Sequence, residues 1–129
     1  KLAVNVHSCV NASAQFAALE ALNGPQDCVT MMNNAFKKRS KIMFEQLNEL
    51  DLISCNDPQG AFYCFPNISK LNFSSLDFQN KLLNETGIAA IAGTSFGEFG
   101  EGFLRFSCAS SEESIKRAIE KLSVLLSNL

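Results

Sequence analysis

Between residues 25 and 50 the apolar side chains of Val29, Met32, Phe36, Met43, Leu47 and Leu50 fall on one face at helical spacing, which commits this stretch to a long amphipathic helix over about 25–49. Pro25 suits its first turn, where a missing amide is no loss, and Asp27 stands near the positive end of the helix dipole. The basic run KKRSK at 37–41 reads as the solvated outer face of this helix in preference to an anion site. Upstream, ASAQFAALEAL at 12–22 places Phe16, Leu19 and Leu22 in steps of three among strong helix formers, and Asn23-Gly24 supplies a left-handed stop.

Beyond residue 50 the apolar period shortens to two. LISC at 52–55 and AFYCF at 61–65 read as two strands, with DPQG between them as turn chemistry. Ser74 and Ser75 can cap a helix reaching about Glu85, and Gly87 ends it. GIAAIAG then gives a third strand and GFLRFSC a fourth. Ser110 with Glu113 forms a capping box, and Ile115, Ala118, Ile119, Leu122, Leu125, Leu126 and Leu129 repeat as one helical stripe. This order predicts an α+β fold, a two-layer α/β sandwich: a small sheet of three or four strands with helices on one face, a long helix near the N-terminus and an amphipathic one at the C-terminus. The other sheet face must then meet solvent, a partner or another domain.

Residues 1–129 fit a single domain that buries about two thirds of its unfolded surface without staples. A net charge of -2 gives no reason to approach nucleic acid or an anionic membrane surface, and no apolar run reaches the roughly 18 residues of a membrane span. The cysteines at 9, 28, 55, 64 and 108 are odd in number and form no CxxC, and the single histidine, His7, has no partner at ligand spacing, so no metal site is expected. They read as small buried thiols of a chain kept in a reducing compartment, which predicts a cytoplasmic protein. The Asn-x-Ser/Thr triplets at Asn11, Asn67, Asn72 and Asn84 read as coincidence in a chain rich in Asn and Ser. A start at lysine, in what reads as the middle of an element, suggests a fragment of a longer chain.

One residue resists assignment to a core. On a strand over GFLRFSC, Phe103, Arg105 and Ser107 project to one face while Leu104, Phe106 and Cys108 project to the other, which belongs to the core. By pattern alone Arg105 is an arginine on the wet side of an antiparallel sheet; its planar guanidinium could also hold a carboxylate through two parallel hydrogen bonds. The preceding GTSFGEFGEG, 93–102, matches neither GxGxxG nor GxxxxGKS and reads as a flexible turn.

Three stretches in this order, QFAALEALNGPQD, DPQGAFYCFPNIS and GIAAIAGTSFGEFGEGFLRFSCASSEESIKRAIEKL, resemble the C-terminal part of class I pyridoxal-phosphate-dependent aminotransferases, the aspartate aminotransferase superfamily of fold type I. The resemblance runs from about Ser8 to Leu126. It implies that residues 1–129 are the small domain of a longer chain, closing over a cofactor held mainly by a large domain. It further implies that Arg105, at the position of the family's carboxylate-binding arginine, takes the substrate's α-carboxylate. Gly60 and Phe62 match a glycine-x-Phe-Tyr segment with a shaping role, and Ser95 and Phe96 fall in a loop near the substrate. HSCVNASAQ departs from the family's pattern at Cys9-Val10, and no substrate role is carried onto residues 7–11.

The family's Schiff-base lysine, with its neighbouring motif, has no match here, nor have the aspartate that pairs with the cofactor's ring nitrogen and the phosphate cup. The resemblance therefore implies pyridoxal 5′-phosphate in the full-length parent, none bound by this stretch alone, and no catalytic residue within it. Amino acid and 2-oxo acid substrates, a large domain of the same chain and a homodimer are the implied partners. The competing expectation is a free-standing, non-catalytic α+β module that binds a ligand or a protein.

Overall fold

The computed structural model describes residues 3, 6 and 9–129, and so leaves His7 and the start of the 7–11 segment outside the described residues. The chain divides into two units, Lys1–Asn33 and Asn34–Leu129. In the first, helix α1 spans Ala12–Asn23 and is capped by Asn11, whose side chain accepts the amide of Ala14 at 3.3 Å. Gly24 ends α1 in extended backbone (φ -74°, ψ 179°) rather than the expected left-handed turn. Pro25 favours extended backbone in the residue before it, and Gly24 takes that conformation. The apolar side chains of this unit are open: Phe16 is 73% and Leu22 81% exposed, and Cys9 and Cys28 are exposed as well, against the expectation of buried thiols.

Helix α2, Asp27–Asn48, starts in the first unit and continues into the second, with Asp27 in its first turn as expected. Its stripe is continuous in sequence but buried only toward the C-terminal end, where Met43 and Leu47 enter the core; Val29 and Met32 stay exposed. Three strands follow in the order β1-β3-β2, all antiparallel: β1 Tyr63–Cys64, β2 Ile91–Ala92 and β3 Leu104–Ser107. Helix α3, Ser75–Thr86, lies between β1 and β2 in sequence, and α4, Glu112–Ser127, follows β3.

The expected strands are all shorter than their patterns, AFYCF pairing only over Tyr63–Cys64 and GFLRFSC over Leu104–Ser107. LISC is reduced to a single bridge from Ser54 to Asn67 although Ile53 and Cys55 are buried as alternation requires. The side chain of Asn48 takes both backbone groups of Cys55, accepting its amide and donating to its carbonyl, each at 2.9 Å, so the segment has no need of a ladder. GIAAIAG contributes only Ile91 and Ala92, and the amide of Ala92 donates to Gln79 Oε1 of α3 at 2.6 Å. A helix side chain thereby satisfies an edge amide that would otherwise invite another strand.

Helix ends follow local chemistry. Ser74 caps α3 by accepting the amide of Asp77 at 3.1 Å, and Gly87 closes it in left-handed backbone (φ 72°). Ser111, not Ser110, caps α4, accepting the amide of Ser114 at 3.1 Å. Adjacent serines offer the same cap, and with Ser111 in that role Glu112 and Glu113 take the first two helical positions, at the positive end of the dipole.

The core of the second unit joins Leu104 and Phe106 of the central strand, and Cys108 just after it, to Phe78 and Leu82 of α3 and to Ile115, Ile119, Leu122 and Leu125 of α4. Each such fully buried side chain contributes roughly 1.5–3 kcal/mol. Cys64 and Cys108 bring their sulfurs to 3.9 Å, and Cys108 reaches Met43 Sδ at 3.7 Å. The neighbouring thiols of Cys108 and Cys55, together with burial, push the Cys64 thiol far up from its ordinary range, so it packs as a neutral apolar group. Among the described residues no helix is long and apolar enough to cross a membrane.

Candidate functional site

The sheet has one covered face and one open face, and β3 sets both. Leu104 and Phe106 are buried, whereas Arg105 is half-buried and Ser107 exposed. Arg105 pairs with Ile91 across β3 and β2, and Ser107 pairs with Tyr63 across β3 and β1, so Ile91, Tyr63 and Arg105 share the open face. Phe103, two residues before Arg105, and Phe65, two after Tyr63, continue that face and stack on each other with centroids 5.3 Å apart.

The guanidinium of Arg105 meets one ring from β1 and one from the turn after β2. Its central carbon lies 4.3 Å from the centroid of Tyr63, on the β1 side, and 4.6 Å from that of Phe96, in the turn that follows β2. Phe96 also meets the edge of Phe65 at 6.1 Å. The guanidinium's N–H groups lie in its own plane, and an acceptor approaches along that plane. Among the described residues no carboxylate pairs with Arg105; the ion pairs are Lys38 with Glu112, Lys41 with Glu45 and Lys81 with Glu85. Strands β1, β2 and β3 carry no other charge.

The loop that delivers Phe96 is held tightly, contrary to its flexible reading. Gly93 and Gly100 face each other so closely that a Cβ on either would overlap the carbonyl oxygen of the other. Ser75, the buried first residue of α3, gathers the far side of the loop. Its hydroxyl accepts the amides of Gly102 at 2.8 Å and Phe103 at 3.2 Å and donates to the carbonyl of Gly100 at 3.4 Å. Its own amide donates to Glu101 Oε1 at 2.9 Å. Ser75→Ala strands the buried amide of Gly102, so we expect urea denaturation to show a loss of about 2 kcal/mol with an unchanged slope. An unaltered midpoint would remove Ser75 from this role.

The residues singled out in the sequence are only partly brought together. Phe96 joins Arg105. Phe62 packs against Phe36 (5.6 Å) and Tyr63 (4.4 Å) and is not among the rings over the guanidinium. Gly60 is exposed with open space where a Cβ would stand, and the left-handed backbone of this turn belongs instead to Ala61 (φ 59°). Ser95 is exposed in the short turn Gly93–Phe96. Phe103 was placed on the face of Arg105 by alternation, whereas Tyr63 and Phe65 were not singled out as its neighbours. The signal was the alternation of aromatic residues on AFYCF and GFLRF, legible as one face only once the register between β1 and β3 is known.

The described residues do not fit the cofactor that the resemblance implies. Lys37, Lys38 and Lys41 lie on α2, Lys81 on α3, Lys116 and Lys121 on α4 and Lys70 in a short turn, so none stands on a strand beside Arg105. Lys81 is paired with Glu85, and Lys121 donates to the carbonyl of Thr86 at 2.8 Å. Among the described residues no cluster of His, Cys, Asp and Glu could hold a metal ion. The hollow between α3 and α4, lined by Glu85, Thr86, Glu120 and Lys121, lies on the helical layer and includes no residue of the open face.

A family model described as aminotransferase class I and II matches residues 2–122. The aspartate aminotransferase of Bacillus sp. (strain YM-2) is 39% identical over 123 residues, covering 90% of this chain and 31% of that protein. The solved alanine aminotransferase from Pyrococcus furiosus superposes with a TM-score of 0.91 at 30% identity, over 97% of this chain and 32% of that one. An aromatic aminotransferase from Pyrococcus horikoshii gives 0.84 at 34% identity, over 88% of this chain and 31% of that one. The chain thus spans about a third of the length of the relatives it matches.

Proposed function

The chain belongs to the class I and II aminotransferases, and from that premise we propose that it is the small domain of an enzyme that moves an amino group between an amino acid and a 2-oxo acid. Its own contribution is to bind and orient the substrate through Arg105. The observation that carries this reading is a half-buried guanidinium on an open sheet face, flanked by Tyr63 and Phe96 and paired with no acid among the described residues. An arginine that served only to decorate a wet sheet face would need no such flanking. The planar fork matches a carboxylate with two parallel hydrogen bonds, which sets the acid's orientation as well as its place.

Pyridoxal phosphate would be held by a larger domain of the full-length protein and would supply there the electron sink for amino transfer. The residues of this chain do the positioning. Holding the α-carboxylate fixes the axis from the carboxyl carbon to Cα, so that once the amino group is held as well the direction of the Cα proton is set, an orientation effect worth several kcal/mol in rate. A homodimer with sites completed across the interface belongs to the same reading.

The test is direct. The full-length protein, loaded with pyridoxal phosphate and given an amino acid and a 2-oxo acid, is expected to form the exchanged pair of products, detected by chromatography. Binding of either substrate without exchange would make the domain a ligand-binding module and overturn the assignment.

A further inference from the structure

We infer that Tyr63 is a positioning residue whose ring holds the guanidinium of Arg105 in the orientation that receives a substrate carboxylate; this rests on the carboxylate role proposed for Arg105. The ladder between β2 and β3 fixes the backbone of Arg105 but not its charged end, which stands on a long side chain with many rotamers. A ligand that binds a freely rotating guanidinium must first restrict it, and affinity rises when the restriction is already made. Tyr63 makes it: its ring centroid lies 4.3 Å from the guanidinium's central carbon. At that distance an aromatic ring attracts a cation lying over it, more strongly where the cation is partly shielded from water.

The support is itself well anchored. Tyr63 pairs with Ser107 across β1 and β3, which makes Arg105 its diagonal neighbour on the same face, within reach of a long side chain. The amide of Cys108 donates to the carbonyl of Phe62 at 2.8 Å, so the backbone beneath the ring is tied to the strand that carries Arg105. From the other side the ring of Tyr63 meets that of Phe62 at 4.4 Å, and Phe62 meets Phe36 of α2 at 5.6 Å. Phe62, which does not touch the guanidinium, thus acts one contact further back, by bracing the ring that does.

A charged fork distinguishes an acid from its amide, so the preference for butanoate over butanamide reads where the guanidinium stands. Both are measured by equilibrium calorimetry on the full-length protein loaded with pyridoxal phosphate. Because the two ligands are compared on one protein, a substitution that only lowers the folded fraction weakens them alike. Tyr63→Leu, which removes the ring, should lower the preference about fivefold, and Tyr63→Val, a residue suited to strands, should lower it in the same way. Tyr63→Phe keeps the ring and should stay within about twofold of the wild type. In an Arg105→Ala background, Tyr63→Leu should change the preference by less than about twofold, because Tyr63 acts through the arginine. A preference that survives both ring-free variants overturns the inference, and so does one that falls as far with Tyr63→Phe as with Tyr63→Leu. If the wild type shows no preference for the acid, or Arg105→Ala leaves that preference intact, the carboxylate role itself fails and the positioning role falls with it.

Discussion

Replacing Arg105 with alanine in the full-length protein is expected to raise the amino acid KM strongly and to lower kcat/KM by about 2 kcal/mol or more, roughly thirtyfold. Charge-assisted hydrogen bonds contribute about 1.5–3 kcal/mol each, and the rings of Tyr63 and Phe96 keep water from part of the guanidinium. Arg105→Lys should recover only a fraction. Lysine keeps the charge, yet it cannot present two parallel donors from one planar group. Loss of the two cation–π contacts at a half-buried site removes only about 1–2 kcal/mol of folding stability. Denaturation curves of the variants therefore tell a binding defect from an unfolded enzyme. Unchanged KM and kcat/KM in a folded Arg105→Ala protein would remove the assignment.

The largest stability effect is expected at Gly100. A methyl group there overlaps the carbonyl oxygen of Gly93, and the obstruction is backbone, so no side chain can rotate away. Forcing the segments apart strains β2 and β3 and the Ser75 bonds at once, and Gly100→Ala should cost about 3 kcal/mol or more. Gly93→Ala opens the same gap from the other side, so the double substitution should cost clearly less than the two single costs added. Denaturant midpoints of the four proteins check this. Additive costs, or a Gly100→Ala midpoint equal to the parent's, would contradict the interlocked loop.

What could be read before the fold was known followed from local periodicity. Both ends of the amphipathic helix over 25–49 lay within two residues of the observed Asp27–Asn48, and the C-terminal stripe through Ile115, Ile119 and Leu122 proved to be core. Alternation on GFLRFSC separated Leu104 and Phe106 from Arg105 correctly. Misreadings arose where a side chain from another element intervened. Asn48 replaced a ladder at Cys55, Gln79 took the edge of β2, and Pro25 overrode the glycine before it. Four glycines in GTSFGEFGEG suggested flexibility because a close approach between Gly93 and Gly100 is a tertiary fact with no local signature. Arg105 was visible as an anomaly, but its flanking rings come from residues 42 positions upstream and 9 upstream in the chain, and only the strand order β1-β3-β2 brings them to it.

The coupling between the guanidinium and the acid group can be measured by removing each in turn. An amino acid and its carboxamide, compared as ligands of the full-length wild-type and Arg105→Ala proteins, form a closed cycle of four dissociation constants. The wild type is predicted to favour the acid over the amide by about a hundredfold, and the alanine variant by no more than about threefold. Equal preference for the acid in both proteins would show that its carboxylate is held elsewhere.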